Sequence, residues 1–142
     1  MPSLVTERIE SVKAGIAAAA VFGLTEFALI LTHSSVNFRL FANFQLGQFN
    51  SLVEYVQHLV IACISGFLFG VTYRYIIRGD RNPHLQDGAV LAFGLVRGLA
   101  SIEGTQFTIL WGLTIVESVL CFAIARLTLD MALKLKLLKP FI

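Results

Sequence analysis

The stretch from Tyr55 to Tyr73 contains no Asp, Glu, Lys or Arg. A membrane-spanning helix needs about 20 predominantly apolar residues, and this stretch meets that requirement. The rest of the chain is similar in character, because 56% of its 142 residues are hydrophobic and only 14% are charged, against about 25% in soluble domains. The composition excludes an ordinary soluble enzyme and predicts an all-α integral membrane protein. A formal net charge of +2 is also too small to indicate nucleic-acid binding.

Four apolar stretches predict four membrane-spanning helices in a single membrane domain, residues 1–142. These spans cover about residues 14–31, 53–77, 85–102 and 106–125. Lys and Arg lie before the first span, between the second and third, and after the fourth, whereas the opposite connections contain only Arg39. Because cytoplasmic flanks are rich in Lys and Arg, we expect a compact four-helix bundle with both termini on the cytoplasmic side.

The connection between the first two spans is rich in aromatic residues. Within residues 37–46, Phe38, Phe41 and Phe44 recur at every third position. This spacing predicts an interfacial helix that dips its rings into the acyl boundary and keeps Arg39 in water.

The first and third spans share a short string, Phe-Gly-Leu-Thr-Glu at 22–26 and Phe-Gly-Leu-Val-Arg at 93–97. One interpretation is a duplicated helical hairpin, which would place Glu26 and Arg97 at equivalent depths. The alternative is chance recurrence of Phe-Gly-Leu in an apolar sequence.

Small residues spaced four apart let membrane helices approach closely. Such positions are predicted to pack helices against each other at Gly66, Gly70, Gly94 and Gly98. The same positions would also suit docking onto another membrane subunit, or self-association.

The predicted spans place three charged residues at mid-bilayer depth, namely Glu26, Arg97 and Glu117. Charges within a bilayer usually face the protein interior and find a partner, so we expect these three to form one buried network. A purely structural network is one interpretation. The other is a proton carrier, because two carboxylates share one guanidinium and the surplus carboxylate would tend to hold a proton.

Glu54 and His58 are four residues apart and therefore share a helical face. A carboxylate beside an imidazole suits a ligand-binding or proton-transfer site, and the alternative is a hydrogen-bonded histidine at the membrane interface. The histidines do not have the spacing of a metal-binding motif, and the chain carries no recognisable catalytic motif. The sequence therefore favours no catalytic residue and no metal ligand.

The connection between the second and third spans is predicted to be cytoplasmic and basic. Arg74 at the end of the second span, with Arg78, Arg81 and His84 in the connection itself, would suit docking of anionic lipid headgroups or of a partner subunit. The alternative is a solvated hairpin.

Tyr-Arg-Tyr at 73–75, Asn-Pro-His-Leu at 82–85 and the segment 88–98 resemble a family of small integral membrane proteins of cyanobacteria and plastids. The resemblance implies a cyanobacterial thylakoid or plasma membrane, or a plastid thylakoid, with both termini in the cytoplasm or stroma. It carries no functional residue with it.

Three functions are consistent with these features. The first is a non-catalytic accessory subunit or assembly factor of a membrane complex, which the resemblance implies is photosynthetic, with other membrane subunits and lipids as partners. The second is a small oligomeric transporter or proton-coupled carrier that uses the buried carboxylates. The third is binding of a pigment or haem, because such a ligand needs only one or two side chains and a groove. Chlorophyll, carotenoid or lipid would be the candidate ligands. The sequence requires no cofactor.

Overall fold

A computed structural model describes residues 4–35, 51–77, 82–101 and 109–139. Within these ranges the chain forms four α-helices and no strand: α1 (Leu4–Ser35), α2 (Leu52–Ile76), α3 (Pro83–Ala100) and α4 (Ile109–Lys134). The prediction of an all-helical protein is therefore confirmed. The predicted interfacial segment, residues 37–46, lies outside the described residues.

Three of the four helices are long and apolar enough to cross a membrane, over Leu4–Thr32, Leu52–Ile76 and Trp111–Lys134. This agrees with an integral membrane protein. The shorter α3 is not among the three: its 18 residues include Asp87 and Arg97.

Two helices extend further toward the predicted cytoplasmic side than the apolar stretches indicate. The first helix begins at Leu4 rather than near residue 14, and the last continues to Lys134 rather than ending near residue 125. The added turns carry charged side chains, so a span defined by apolar residues alone stops short of them. Several of these charges have partners at that end of the bundle, so the helices continue through them.

Local signals account for the starts of α2 and α3. The Ser51 hydroxyl accepts a hydrogen bond from the Glu54 backbone N–H (3.3 Å), and the Asn82 amide oxygen accepts one from the His84 N–H (3.0 Å). Pro83 follows Asn82 in the first turn of α3, where its missing N–H costs nothing. His84 is thereby placed at an exposed helix start.

The helices pack as two antiparallel pairs. In the α1/α2 pair, a Cβ on Gly70 would lie 2.5 Å from the Ala14 carbonyl oxygen, and one on Gly66 would lie 2.7 Å from Phe22 Cβ. In the α3/α4 pair, a Cβ on Gly94 would lie 2.7 Å from the Cα of Val119, and Gly98 approaches Ile115 as closely. All four glycines therefore lie in contacts inside the bundle.

The two pairs meet at a layer of aromatic rings, Phe22, Phe69, Phe93 and Phe122, one from each helix. Phe22 and Phe122 are 4.5 Å apart between ring centroids, and Phe69 lies 5.1 Å from Phe122 and 5.5 Å from Phe93. Phe22, Phe69 and Phe122 are fully buried. This aromatic layer fills the centre of the bundle.

Each of α2 and α4 packs against the other three helices, whereas the backbones of α1 and α3 make no close approach within the described ranges. α1 and α3 thus lie on opposite corners of the bundle. Side chains must cross the centre to join them.

Candidate functional site

A buried ion pair joins the two opposite corners. Glu26 Oε1 on α1 is 2.6 Å from Arg97 Nη1 on α3, and the two side chains are only 7% and 12% exposed. Both charges are therefore largely removed from the surroundings of the bundle. The structure thus brings together two of the three residues predicted to form a network.

The local sequence explains how both charges reach the same level. Glu26 follows Phe22 by four residues and Arg97 follows Phe93 by four, so each charge lies one turn beyond a ring of the aromatic layer. The Arg97 guanidinium also lies over the Phe22 ring, with 5.0 Å from Cζ to the centroid. A cation over an aromatic face is stabilised in an apolar environment. Arg97 Nε is buried without a hydrogen-bond partner among the described residues.

His58 on α2 faces the second oxygen of the same carboxylate. Its Nδ1 is 4.0 Å from Glu26 Oε2, and its side chain is 33% exposed. The distance exceeds that of a hydrogen bond but leaves the imidazole within electrostatic reach of the carboxylate. The carboxylate therefore lies between a guanidinium and an imidazole carried by two different helices.

The proximity of His58 to Glu26 was not anticipated from the sequence, which pairs His58 with Glu54 on its own helix. Glu54 is exposed, one turn closer to the start of α2. The approach of His58 to Glu26 depends on the register between α1 and α2, which is fixed by the close contacts at Gly66 and Gly70. Periodicity along one helix carries no information about that register.

Glu117 lies on α4, partly buried. It precedes Cys121 by one turn, and the Cys121 thiol is within electrostatic reach of Glu26, Arg97 and Glu117. α4 thus contributes a carboxylate on the side of the bundle that carries the ion pair. Direct participation of Glu117 in the network stays a prediction.

Arg74 forms a second polar cluster, at the end of the bundle that carries the chain termini. Its Nη2 is 2.6 Å from Glu7 Oε2, its Nη1 donates to Ser11 Oγ (2.6 Å) and to the Glu7 carbonyl (2.8 Å), and its Nε donates to the Lys139 carbonyl (3.0 Å). The residue is 3% exposed. One guanidinium thus holds together α1, α2 and the segment that follows α4.

This placement corrects the prediction that Arg74 docks lipid headgroups or a partner. The five N–H donors of a guanidinium have a fixed planar geometry, and here all three nitrogens donate hydrogen bonds to groups of the same chain. The side chain is therefore withdrawn from the surface. Of the other residues predicted for docking, His84 is exposed, and Arg78 and Arg81 lie outside the described residues. The sequence shows Arg74 at the end of an apolar helix, but its position opposite Glu7 depends on the register between α1 and α2.

A third cluster joins α2, α3 and α4 near the same end. The Tyr73 hydroxyl donates to Asp130 Oδ1 (2.8 Å), and Arg126 forms an ion pair with Asp87 and a hydrogen bond with Gln86 Oε1 (3.0 Å). Asp87 thus pairs across to α4, and the N-cap of α3 is Asn82. No sequence pattern connects these residues, because they come from three separate helices.

The described residues contain no group of three or more His, Cys, Asp or Glu side chains that would hold a metal ion. The described residues line a cavity of ≈ 10 Å³ beside Arg74 and Leu138, large enough for one water, and an open groove of ≈ 380 Å³ between α3 and α4. The groove is lined by apolar side chains and by the Arg126–Asp87 pair at one end.

The chain matches no family model, no curated protein and no solved structure.

Proposed function

We propose that this chain is a non-catalytic accessory subunit or assembly factor of a membrane protein complex. The observation that carries the proposal is the division between the interior and the surface. Buried charges bind one another inside the bundle, and the aromatic layer fills its centre. The outer faces, in contrast, are broad and apolar, so a partner would meet the protein through them.

The outer face of α2 illustrates this surface. Five side chains at helical spacing are at least half exposed: Val53, Val56, Val60, Ile64 and Leu68. In a membrane such a face contacts lipid or another apolar protein surface, because either environment covers it without loss of hydrogen bonds. A rigid bundle with faces of this kind is suited to pack beside larger membrane subunits.

We further propose that α3 is a fourth membrane crossing and that both termini are cytoplasmic or stromal. Its two charged side chains have partners on other helices, Arg97 with Glu26 and Asp87 with Arg126. Pairing lowers the cost of placing charges in lipid. The distribution of Lys and Arg supports the orientation, and residues 37–46 would lie on the opposite surface as an interfacial helix.

The membrane we propose is a cyanobacterial or plastid photosynthetic membrane. This part rests only on the sequence resemblance of residues 73–75, 82–85 and 88–98.

The central test is site-specific photo-cross-linking in the native membrane. A photoreactive residue at Ile64, on the exposed face of α2, should yield a discrete adduct to another membrane protein. The matched control is Ala62, two residues away and fully buried, which should yield none. If exposed positions on all four helices give lipid adducts alone, and the protein migrates alone on a native gel after mild solubilisation, the proposal is wrong.

The same material discriminates between the alternatives. Proton or solute flux into liposomes that is lost in the Glu26→Gln or Glu117→Gln variant would favour a carrier. A visible absorption band that copurifies with the protein would favour a pigment or haem protein.

A further inference from the structure

Three helices contribute charge or polarity to one point in the half of the bundle remote from the termini. Glu26 comes from α1, Arg97 from α3 and His58 from α2, with Glu26 between the other two. We propose that His58 and Glu26 form a proton-sensing site that controls how tightly the first turns of α2 are held against α1. This proposal is independent of the proposed function.

His58 is the member of the site that exchanges protons. Imidazole titrates near neutral pH, with an ordinary pKa of about 6.5, whereas guanidinium keeps its proton throughout the physiological range. One third of the His58 side chain is exposed, whereas Glu26 is almost fully buried. A proton from outside therefore reaches the imidazole first.

Charges on every helix packed around the imidazole act on its protonated form. Glu26 attracts it from α1, and Arg97 repels it from α3. On α4, the Cys121 thiol lies within electrostatic reach of Glu26, Arg97 and Glu117. On α2 itself, Glu54 and Tyr55 lie within one turn of His58.

The balance of these charges decides the direction of the response. With a neutral imidazole, Glu26 and Arg97 neutralise each other at 2.6 Å. A proton on His58 adds a second cation beside a carboxylate that Arg97 already neutralises. The protonated imidazole is also partly shielded from water, and a charged group is better solvated in water. His58 lies within two turns of the start of α2, so fraying of those turns carries the imidazole to water. Acid therefore loosens the first turns of α2.

The aromatic layer covers the site on the side of the termini. Phe22 lies one turn from Glu26 on the side of the termini, and its fully buried ring packs against Phe122 at 4.5 Å. Toward the termini, a proton bound at His58 meets this layer of apolar rings. This arrangement suits sensing of the pH on one side of the membrane, in contrast to carrying protons across it.

Hydrogen exchange in lipid nanodiscs tests the proposal on the full chain. Between pH about 7.5 and about 5, the amides of residues 52–60 should lose protection, after correction for intrinsic exchange. Once His58 titrates, the loss should reach up to about tenfold per pH unit, which is the limit for the binding of one proton. Protection around Phe69 should not change. The His58→Gln variant should lose the response, and the matched His84→Gln variant should keep it because His84 is exposed on α3.

A second measurement keeps the proposal open to refutation if His58→Gln folds poorly. Nitrogen-15 histidine spectra of the intact protein, assigned with the His33→Gln and His84→Gln variants, should show His58 gaining a proton over the pH range in which residues 52–60 lose protection. Loss of protection without titration of His58, titration without loss of protection, or an unchanged response in a folded His58→Gln variant would each overturn it.

Discussion

Glu26 Oε1 lies 2.6 Å from Arg97 Nη1, and this ion pair spans the bundle between α1 and α3, whose backbones do not approach closely. Helices in contact are usually held by packing over many residues. Here one pair of side chains supplies a direct link between opposite corners. The strength of this pair therefore bears on the whole arrangement of the four helices.

Removing one member of the pair should destabilise the bundle strongly. Arg97→Leu leaves Glu26 as a buried charge without its guanidinium, a change that typically costs about 3–5 kcal/mol. The exchange Glu26→Arg with Arg97→Glu restores opposite charges and should recover part of the loss. Thermal unfolding in detergent measures both, with Arg8→Leu on the exposed side of α1 as the control.

The same background tests the predicted role of Glu117. Arg97→Leu combined with Glu26→Gln should be more stable than Arg97→Leu alone, because the uncompensated charge is gone. If Glu117 shares the network, Arg97→Leu with Glu117→Gln should also recover stability. Wild-type accumulation and melting in the single Arg97→Leu variant would show that the pair contributes little.

The glycines at the helix contacts should tolerate no added side chain. A methyl group on Gly70 would meet the Ala14 carbonyl oxygen at 2.5 Å and Ala18 Cβ at 2.7 Å, so α1 and α2 must separate. Overpacking of this kind costs about 1–3 kcal/mol. Gly88 is the matched control: nothing lies within 4 Å of an added Cβ, and alanine favours a helix by up to about 1 kcal/mol. Equal melting temperatures for Gly70→Ala and Gly88→Ala would contradict this packing.

The apolar stretches were enough to predict the helices, because lipid requires long apolar segments with internally satisfied backbones. Residue spacing was also enough to single out Gly66, Gly70, Gly94 and Gly98, all of which lie in helix contacts. The helix ends were less predictable. Charged first turns, such as the one containing Glu7, continue a helix when a partner such as Arg74 lies opposite, and that partner is distant in the sequence.

The site was predictable only in part, for the same physical reason. Glu26 and Arg97 are conspicuous as charges within apolar segments, so their common level could be inferred from the shared Phe-Gly-Leu strings. The approach of His58 to Glu26 and the burial of Arg74 depend on how two helices are rotated and offset against each other. That register is set by contacts between helices and leaves no periodic pattern along either one.

Arg74 should be irreplaceable by lysine. Its guanidinium binds the Glu7 carboxylate, the Glu7 carbonyl, Ser11 and the Lys139 carbonyl at once, and a single ammonium group cannot span these positions. Each lost hydrogen bond to a charged group costs about 1.5–3 kcal/mol. Arg74→Lys should therefore lower the melting temperature markedly and increase proteolysis after Leu138, whereas Arg8→Lys, at an exposed position, should change neither.

The proposed crossing of α3 should depend on its partner charges. In a background with Cys63 and Cys121 replaced by alanine, Asn82→Cys and Ser101→Cys should be labelled by an impermeant thiol reagent from opposite sides of the membrane. Adding Glu26→Gln removes the carboxylate that neutralises Arg97, so a fraction of Ser101→Cys should become labelled from the side of Asn82. Glu54→Gln, at an exposed carboxylate, should leave the labelling unchanged. Labelling of both cysteines from one side in the unmodified charge background would show that α3 does not cross.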